Sequence, residues 1–227
     1  MSQNVIELKN IKKVYRAEGG NTVALNDIDL NIQKGEFLSI MGPSGSGKST
    51  LMNILGLLDI PTEGKYVLNG KDVSKLKEKE LAGIRNKEIG FVFQQFNLLQ
   101  RTTVLDNVLL PTVYGNISDA KEKAESLIDM VGLKKWINHK SNELSGGQIQ
   151  RVAVARALMM NPSIILADEP TGNLDTKKSK EIMELFKRIN RNGSTVILIT
   201  HEKYIAEYAS RTIYIRDGKI VKKETNK

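Results

Sequence analysis

The chain has 227 residues, of which 40% are hydrophobic and 26% charged, with a formal net charge of +8 and no cysteine. That balance fits a single globular domain able to bury its own core, and it excludes disordered and fibrous classes. The absence of cysteine excludes a disulfide framework and a thiolate-ligated metal.

The basic balance alone is compatible with nucleic acid, an anionic surface or a nucleotide ligand. The lysines of 71–79, 121–140 and 177–187 are interleaved with acidic residues, as on solvated helix faces, so no nucleic-acid partner is expected. The opening Met1-Ser2-Gln3-Asn4 lacks the basic-then-apolar build of a secretory leader, and the apolar runs are too short to span a bilayer. A membrane role is expected to come through a partner.

Ile28, Leu30 and Ile32 alternate with Asp27, Asp29 and Asn31, the period of a strand with one wet face, which predicts an antiparallel edge region near the start. Phe37–Met41, Ile89–Phe93, Ile164–Ala167 and Val196–Thr200 are short, nearly continuous apolar runs, as in parallel strands covered on both faces. Helical spacing appears at Ser49–Leu58, at Ala120, Ala124, Leu127, Ile128 and Val131 before Gly132, and at Ile182, Leu185, Phe186 and Ile189. Lys75–Lys79 reads as a solvated helix, and Asp217-Gly218 as the turn of a closing hairpin with no room beyond it for a regulatory domain. The prediction is α/β, with a mainly parallel central sheet, an antiparallel β region and an inserted helical subdomain. Residues 1–94 and 161–227 form the expected core, and 95–160 the helical insert.

Gly42-Pro43-Ser44-Gly45-Ser46-Gly47-Lys48-Ser49 has the phosphate-binding loop pattern and sits between an apolar strand and a helix. Glycines let backbone N–H groups turn toward phosphates, Lys48 adds charge, and the Ser49 hydroxyl can reach Mg²⁺. Ile164–Ala167 ends in Asp168-Glu169, two carboxylates where a parallel sheet presents its ligand site. Asp168 is expected to hold Mg²⁺ and Glu169 to polarise the attacking water, although an acidic pair at a strand end can also be a helix cap. A GTPase, a kinase and a RecA-like ATPase all stay open on these residues. A GTPase lacks support because Asn86-Lys87-Glu88-Ile89 does not complete an Asn-Lys-x-Asp guanine string.

Leu144-Ser145-Gly146-Gly147-Gln148, followed by Arg151 and the Ala-rich helix Val152–Leu158, resembles the signature of the ABC ATPase family. The resemblance runs from Val5 to Val221 and implies a P-loop NTPase of ABC type that binds and hydrolyses ATP with Mg²⁺. It implies that Gly42, Ser44, Gly45, Ser46, Gly47, Lys48, Ser49 and Thr50 hold the phosphates and that Tyr15 stacks on adenine. Gln94, with Ser49 and Asp168, lies near Mg²⁺, and His201 contacts the γ-phosphate. Ser145, Gly146, Gly147, Gln148 and Asp175 meet the ATP of a second copy in a head-to-tail homodimer. Read singly, Tyr15 could be core, Gln94 surface, Asp175 a helix cap and His201 a satisfied strand-end histidine. Trp136 and His139 match no catalytic position and read as packing residues, while Ile149 stands where many family members have Gln.

The same resemblance implies an integral membrane permease as partner, on the cytoplasmic side of the cell membrane, reached through a groove near Gln94 to which Phe96, Leu98 and Leu99 are candidates. The segments 39–41, 53–64 and 85–99 look like the branch serving lipoprotein release, macrolide export and antimicrobial-peptide systems, including motors that transmit motion without threading substrate. A non-transport cell-envelope motor shares the same engine. A DNA-associated relative would need a long heptad-patterned insert, and none is present.

Overall fold

Two sheets of opposite character account for the alternating and the continuous apolar runs of the sequence. The structure is a computed structural model that describes residues 3–17, 20–115 and 117–226. Along the chain run β1 (Asn4–Ala17), β2 (Gly20–Gln33), β3 (Phe37–Met41), α1 (Lys48–Leu55), β4 (Glu63–Leu68), β5 (Lys71–Asp72), α2 (Glu78–Glu88) and β6 (Ile89–Val92). Helices α3 (Val104–Leu109), α4 (Ala120–Met130) and α5 (Gly146–Leu158) come next. Then follow β7 (Ile164–Asp168), α6 (Thr176–Arg191), β8 (Thr195–Ile199), α7 (Lys203–Ala206), β9 (Arg211–Arg216) and β10 (Lys219–Thr225).

The first sheet is antiparallel, in the order β2-β1-β4-β5. Ile28, Leu30 and Ile32 are buried on its inner face while Asp27, Asp29 and Asn31 are exposed, as the alternation requires. The second sheet has the order β10-β9-β3-β8-β7-β6; all neighbours are parallel except the terminal hairpin β9–β10. Its central strands are buried on both faces. Leu38, Ile40, Leu166, Ile197 and Ile199 join the cluster beneath the antiparallel sheet and α1. Their strand neighbours Ile165, Ala167, Val196 and Leu198 join the cluster beneath α5 and α6. Period-2 side-chain direction thus feeds two cores from each strand, which is why these runs read as continuous rather than alternating.

Local chemistry sets the helix limits. α1 ends at Leu55, short of the expected Leu58, because Gly56 caps it and Leu57 turns left-handed at φ 54°. α4 stops before Gly132, at φ 76°. Only part of the lysine run 75–79 is helical: Lys75–Lys77 precede α2, where the Lys77 N–H donates to Glu80 at its start. Between β6 and β7 the described residues form α3, α4, α5 and short 3-10 turns. Trp136 packs half-buried against the second core, whereas His139 is exposed and so is not the packing residue expected of it.

Tyr66 ties the antiparallel sheet to the helix that follows the phosphate loop. It is fully buried, and its hydroxyl donates to the Leu55 carbonyl at the end of α1, 2.9 Å away. Tyr66→Phe removes this donor and leaves a buried carbonyl unpaired, so a loss of about 1 kcal/mol is expected in a urea titration. An unchanged midpoint would show that the bond contributes nothing to joining the antiparallel sheet to α1.

Candidate active site

Four neighbouring parallel strands deliver the candidate residues to one edge of the sheet. β3 runs into Gly42–Ser49, β8 into Thr200-His201, β7 ends in Asp168 with Glu169 next, and β6 leads to Gln94. Ile40 pairs with Ile199, and Ile199 with Asp168, so the loop, the histidine segment and the acid pair start from adjacent positions. The carboxyl ends of parallel strands are where such sheets bind ligands.

The loop from Gly42 is held from outside. A Cβ at Gly42 would lie 2.2 Å from the Ile215 carbonyl oxygen, and one at Gly47, whose φ is 103°, would lie 2.6 Å from that of Ala24. Glycine is therefore needed at both positions for close backbone approach, and at Gly47 for its conformation too. The Gly218 N–H donates to the Ser46 carbonyl and the Asn26 N–H to the Gly218 carbonyl, each at 2.9 Å, so the terminal hairpin links the loop to β2. Lys48 folds over the loop and donates from Nζ to the carbonyls of Gly42 at 2.7 Å and Pro43 at 2.8 Å. The buried Ser46 hydroxyl has no partner among the described residues.

Glu169 has a left-handed backbone, φ 44°, rare for a residue with a long side chain and rarer still before proline. Its Oε1 accepts the His201 N–H at 3.0 Å and lies 2.7 Å from His201 Nδ1; its Oε2 accepts from the Thr200 hydroxyl at 3.2 Å. Asp168 is held above the usual carboxylate range by burial and the neighbouring Glu169 charge, against the pull of Lys48. This is an acid short of positive charge. The hydroxyl of Ser49, the amide oxygen of Gln94 and the carboxylate of Asp168 are the oxygen donors that suit Mg²⁺. No group of three or more His, Cys, Asp or Glu among the described residues could hold a metal, so phosphates and water would supply the other ligands.

Gln94 is exposed, its amide packs over Gly172, and its carbonyl accepts from Asn173 Nδ2 at 2.8 Å. Tyr15 lies on β1, 41% exposed, with its hydroxyl donating to Asp59 Oδ2 and the ammonium of Lys13 5.0 Å from its ring centre. Lys13 pairs across the strands with Leu25, which a Cβ at Gly47 would touch at 3.0 Å, so Tyr15 sits along the strand from the loop. Ser145 is the N-cap residue of α5, and its N–H donates to Gln148 Oε1 at 2.8 Å. Beside this turn lie Leu174 and Lys178, and among the described residues no hydrogen bond joins Ser145–Gln148 to Gly42–Ser49. Asp175 caps α6 by accepting the Lys178 N–H at 2.9 Å.

One chain therefore assembles the phosphate loop, Asp168, Glu169, Gln94 and His201. It places Ser145–Gln148 and Asp175 together on a separate rim. Thr200, which holds Glu169, and the pair Lys13 and Asp59, which holds Tyr15, were missed by sequence reasoning. Thr200 could have been found from its place beside His201; nothing local marks the other two.

The ABC transporter family profile matches residues 25–172. The ABC transporter ATP-binding protein YknY of Bacillus subtilis is 52% identical over 96% of this chain and 95% of that protein. The macrolide export ATP-binding/permease protein MacB of Bdellovibrio bacteriovorus is 55% identical over 95% of this chain, which spans only 33% of that protein. A dimeric ATP-binding cassette solved in a post-hydrolysis state with ADP and Pi superposes with TM-score 0.88 at 46% identity, covering 98% of this chain and 99% of that one. Fold and strand-end site thus define a P-loop ATPase of the ATP-binding-cassette class. The chain belongs to the ABC transporter family.

The contact with Glu169 holds the His201 proton to higher pH than in an ordinary histidine, first through the hydrogen bond and then through charge, against slight desolvation. A raised value in the folded chain means that the contact stabilises fully below the ordinary value of 6.5 and loses its effect as pH rises through the raised one. An NMR titration of His201 should therefore give a midpoint above 6.5 that falls in Glu169→Gln. An equal midpoint in both proteins would show that Glu169 does not hold the proton.

Proposed function

We propose that two copies of this chain close head to tail around two Mg-ATP, and that hydrolysis reopens the pair and drives conformational change in membrane permease subunits. The observation that carries this is the split site. A γ-phosphate lying in Gly42–Ser49 is reached by Lys48 and His201 of the same chain. The N-terminus of α5 at Ser145–Gln148, a ready anion grip, makes no hydrogen bond to that loop among the described residues. A second copy in inverted orientation supplies the missing grip, with Asp175 on the same rim. The ADP-bound dimeric relative supports this pairing.

Hydrolysis is then a matter of positioning and charge. Lys48 exchanges the carbonyls of Gly42 and Pro43 for phosphate oxygens, while Ser44, Gly45, Ser46, Gly47 and Thr50 line the phosphates and Tyr15 stacks on the adenine. Mg²⁺, held by Ser49, Gln94 and Asp168, would neutralise charge on the phosphates. Glu169, oriented by Thr200 and His201, accepts the proton of the attacking water as its oxygen adds to the γ-phosphorus and the bond from that phosphorus to the bridging oxygen breaks, ADP leaving with the electron pair.

Residues 95–160 act as the helical subdomain that moves with the permease. A groove of about 810 Å³ lies between this segment and the sheet, lined by Arg85, Phe91, Phe93, Leu110, Tyr114 and Arg156. Phe91 and Phe93 stack at 5.4 Å across its floor, and Arg156 donates to the carbonyls of Phe96 and Asn97, both left-handed. An amphipathic permease helix with an apolar anchor and an acidic flank fits it. No helix among the described residues is long and apolar enough to cross a membrane. The MacB relatives, which join cassette and permease in one chain, favour an export or lipoprotein-release system on the cytoplasmic face of the membrane.

Glu169→Gln should be monomeric without nucleotide and dimeric with ATP by light scattering, because the water-activation step is slowed. Replacing Ser145 with a bulky residue in that variant should abolish the dimer; a mass that stays monomeric at saturating ATP would refute the shared site. Tyr114 is 85% exposed, so Tyr114→Glu should leave folding and ATP hydrolysis intact while the co-purified permease is lost. Full retention of the permease would remove this groove from the interface.

A further inference from the structure

Gln150 does not behave as a polar residue on a helix surface. It stands in the second turn of α5 with no exposed surface, among the buried Val152, Ala153 and Val154 that follow it. Its Nε2 donates to the Pro170 carbonyl at 2.7 Å, and its Oε1 has no partner among the described residues. Pro170 is the residue directly after Glu169. Its carbonyl belongs to a tight turn that the Gly172 N–H closes onto the Glu169 carbonyl at 3.1 Å.

The turn carries the left-handed backbone of Glu169, and such strain persists only where several contacts over-determine it. On one side the Glu169 N–H is fixed to the Ile199 carbonyl at 2.9 Å, and its carboxylate to Thr200 and His201. On the other side, Gln150 is the side chain that reaches the turn from the helices. The neighbouring Thr171 hydroxyl is also buried without a partner among the described residues, so aliphatic packing alone does not explain why polar groups converge at this joint.

We propose that Gln150 is a positioning residue for hydrolysis: it holds the Glu169–Gly172 turn so that the carboxylate faces the attacking water, and it ties that turn to the helix bearing Ser145–Gln148. The inference rests on the shared-site reading above. Since those residues grip the ATP of the opposite site, Gln150 links occupancy of one site to the alignment of the base in the other. The linkage makes the two sites cooperative, and the cooperativity is lost without the amide.

The test uses the full chain and Gln150→Met, which keeps length and burial but removes the donor. We expect kcat to fall about 10²-fold, as for a base displaced by a fraction of its reach, with ATP affinity unchanged and the Hill coefficient reduced towards that of independent sites. Hydrogen exchange at the Gly172 amide should quicken, a readout independent of activity. In the Glu169→Gln background, Gln150→Met should still dimerise with ATP. Wild-type kcat and Hill coefficient in Gln150→Met would overturn the proposal. So would loss of the ATP-driven dimer, or a collapse of the melting temperature, since Gln150 would then merely support the helix. Wild-type chain that neither dimerises nor hydrolyses ATP would overturn the shared-site reading itself, and this link with it.

Discussion

The parallel register of β3, β8, β7 and β6 is the constraint on which the rest of the site depends. Ile40, Ile199 and Asp168 are cross-strand neighbours, and each strand is buried on both faces. A slip of one residue would exchange every inward side chain between the two cores and carry Asp168 off the sheet edge. The apolar packing that stabilises the sheet therefore also sets the distance between the phosphate loop and the acid pair. No separate device is needed to align them.

Around that frame the chain concentrates features that are unfavourable in isolation: a left-handed glutamate before proline, a partly buried aspartate beside a second acid, and a loop glycine with no room for a side chain. Each is offset by a neighbouring contact. The terminal hairpin holds the loop, Thr200 and His201 hold Glu169, and Lys48 lies near enough to Asp168 to oppose its neighbour's charge. Such preorganisation is what phosphoryl transfer draws on.

The fold was legible where chemistry repeats along the chain. Ile28, Leu30 and Ile32 declared a half-wet strand, and Ile164–Ala167 a strand buried on both faces. By contrast β4 escaped notice because it begins Glu63-Gly64-Lys65 and buries only Tyr66 and Leu68. At the site, Gly42–Ser49 was legible because its geometry demands glycines at fixed offsets. Gln150 was not, since a lone glutamine among helix-formers has the same local appearance whether it faces water or a carbonyl. The separation of Ser145–Gln148 from the loop was expected from the family resemblance alone; the packing of that turn against Leu174 and Lys178 is what the sequence did not show.

The bond from Gly218 to Ser46 has a bearing on how the chain is made. A ribosome releases Gly42–Ser49 long before Asp217-Gly218, yet the loop is braced by that last turn and by the carbonyl of Ile215. During synthesis the motif thus exists as sequence well before it exists as a cradle. The cradle takes its folded form only once the β9–β10 hairpin has docked against it.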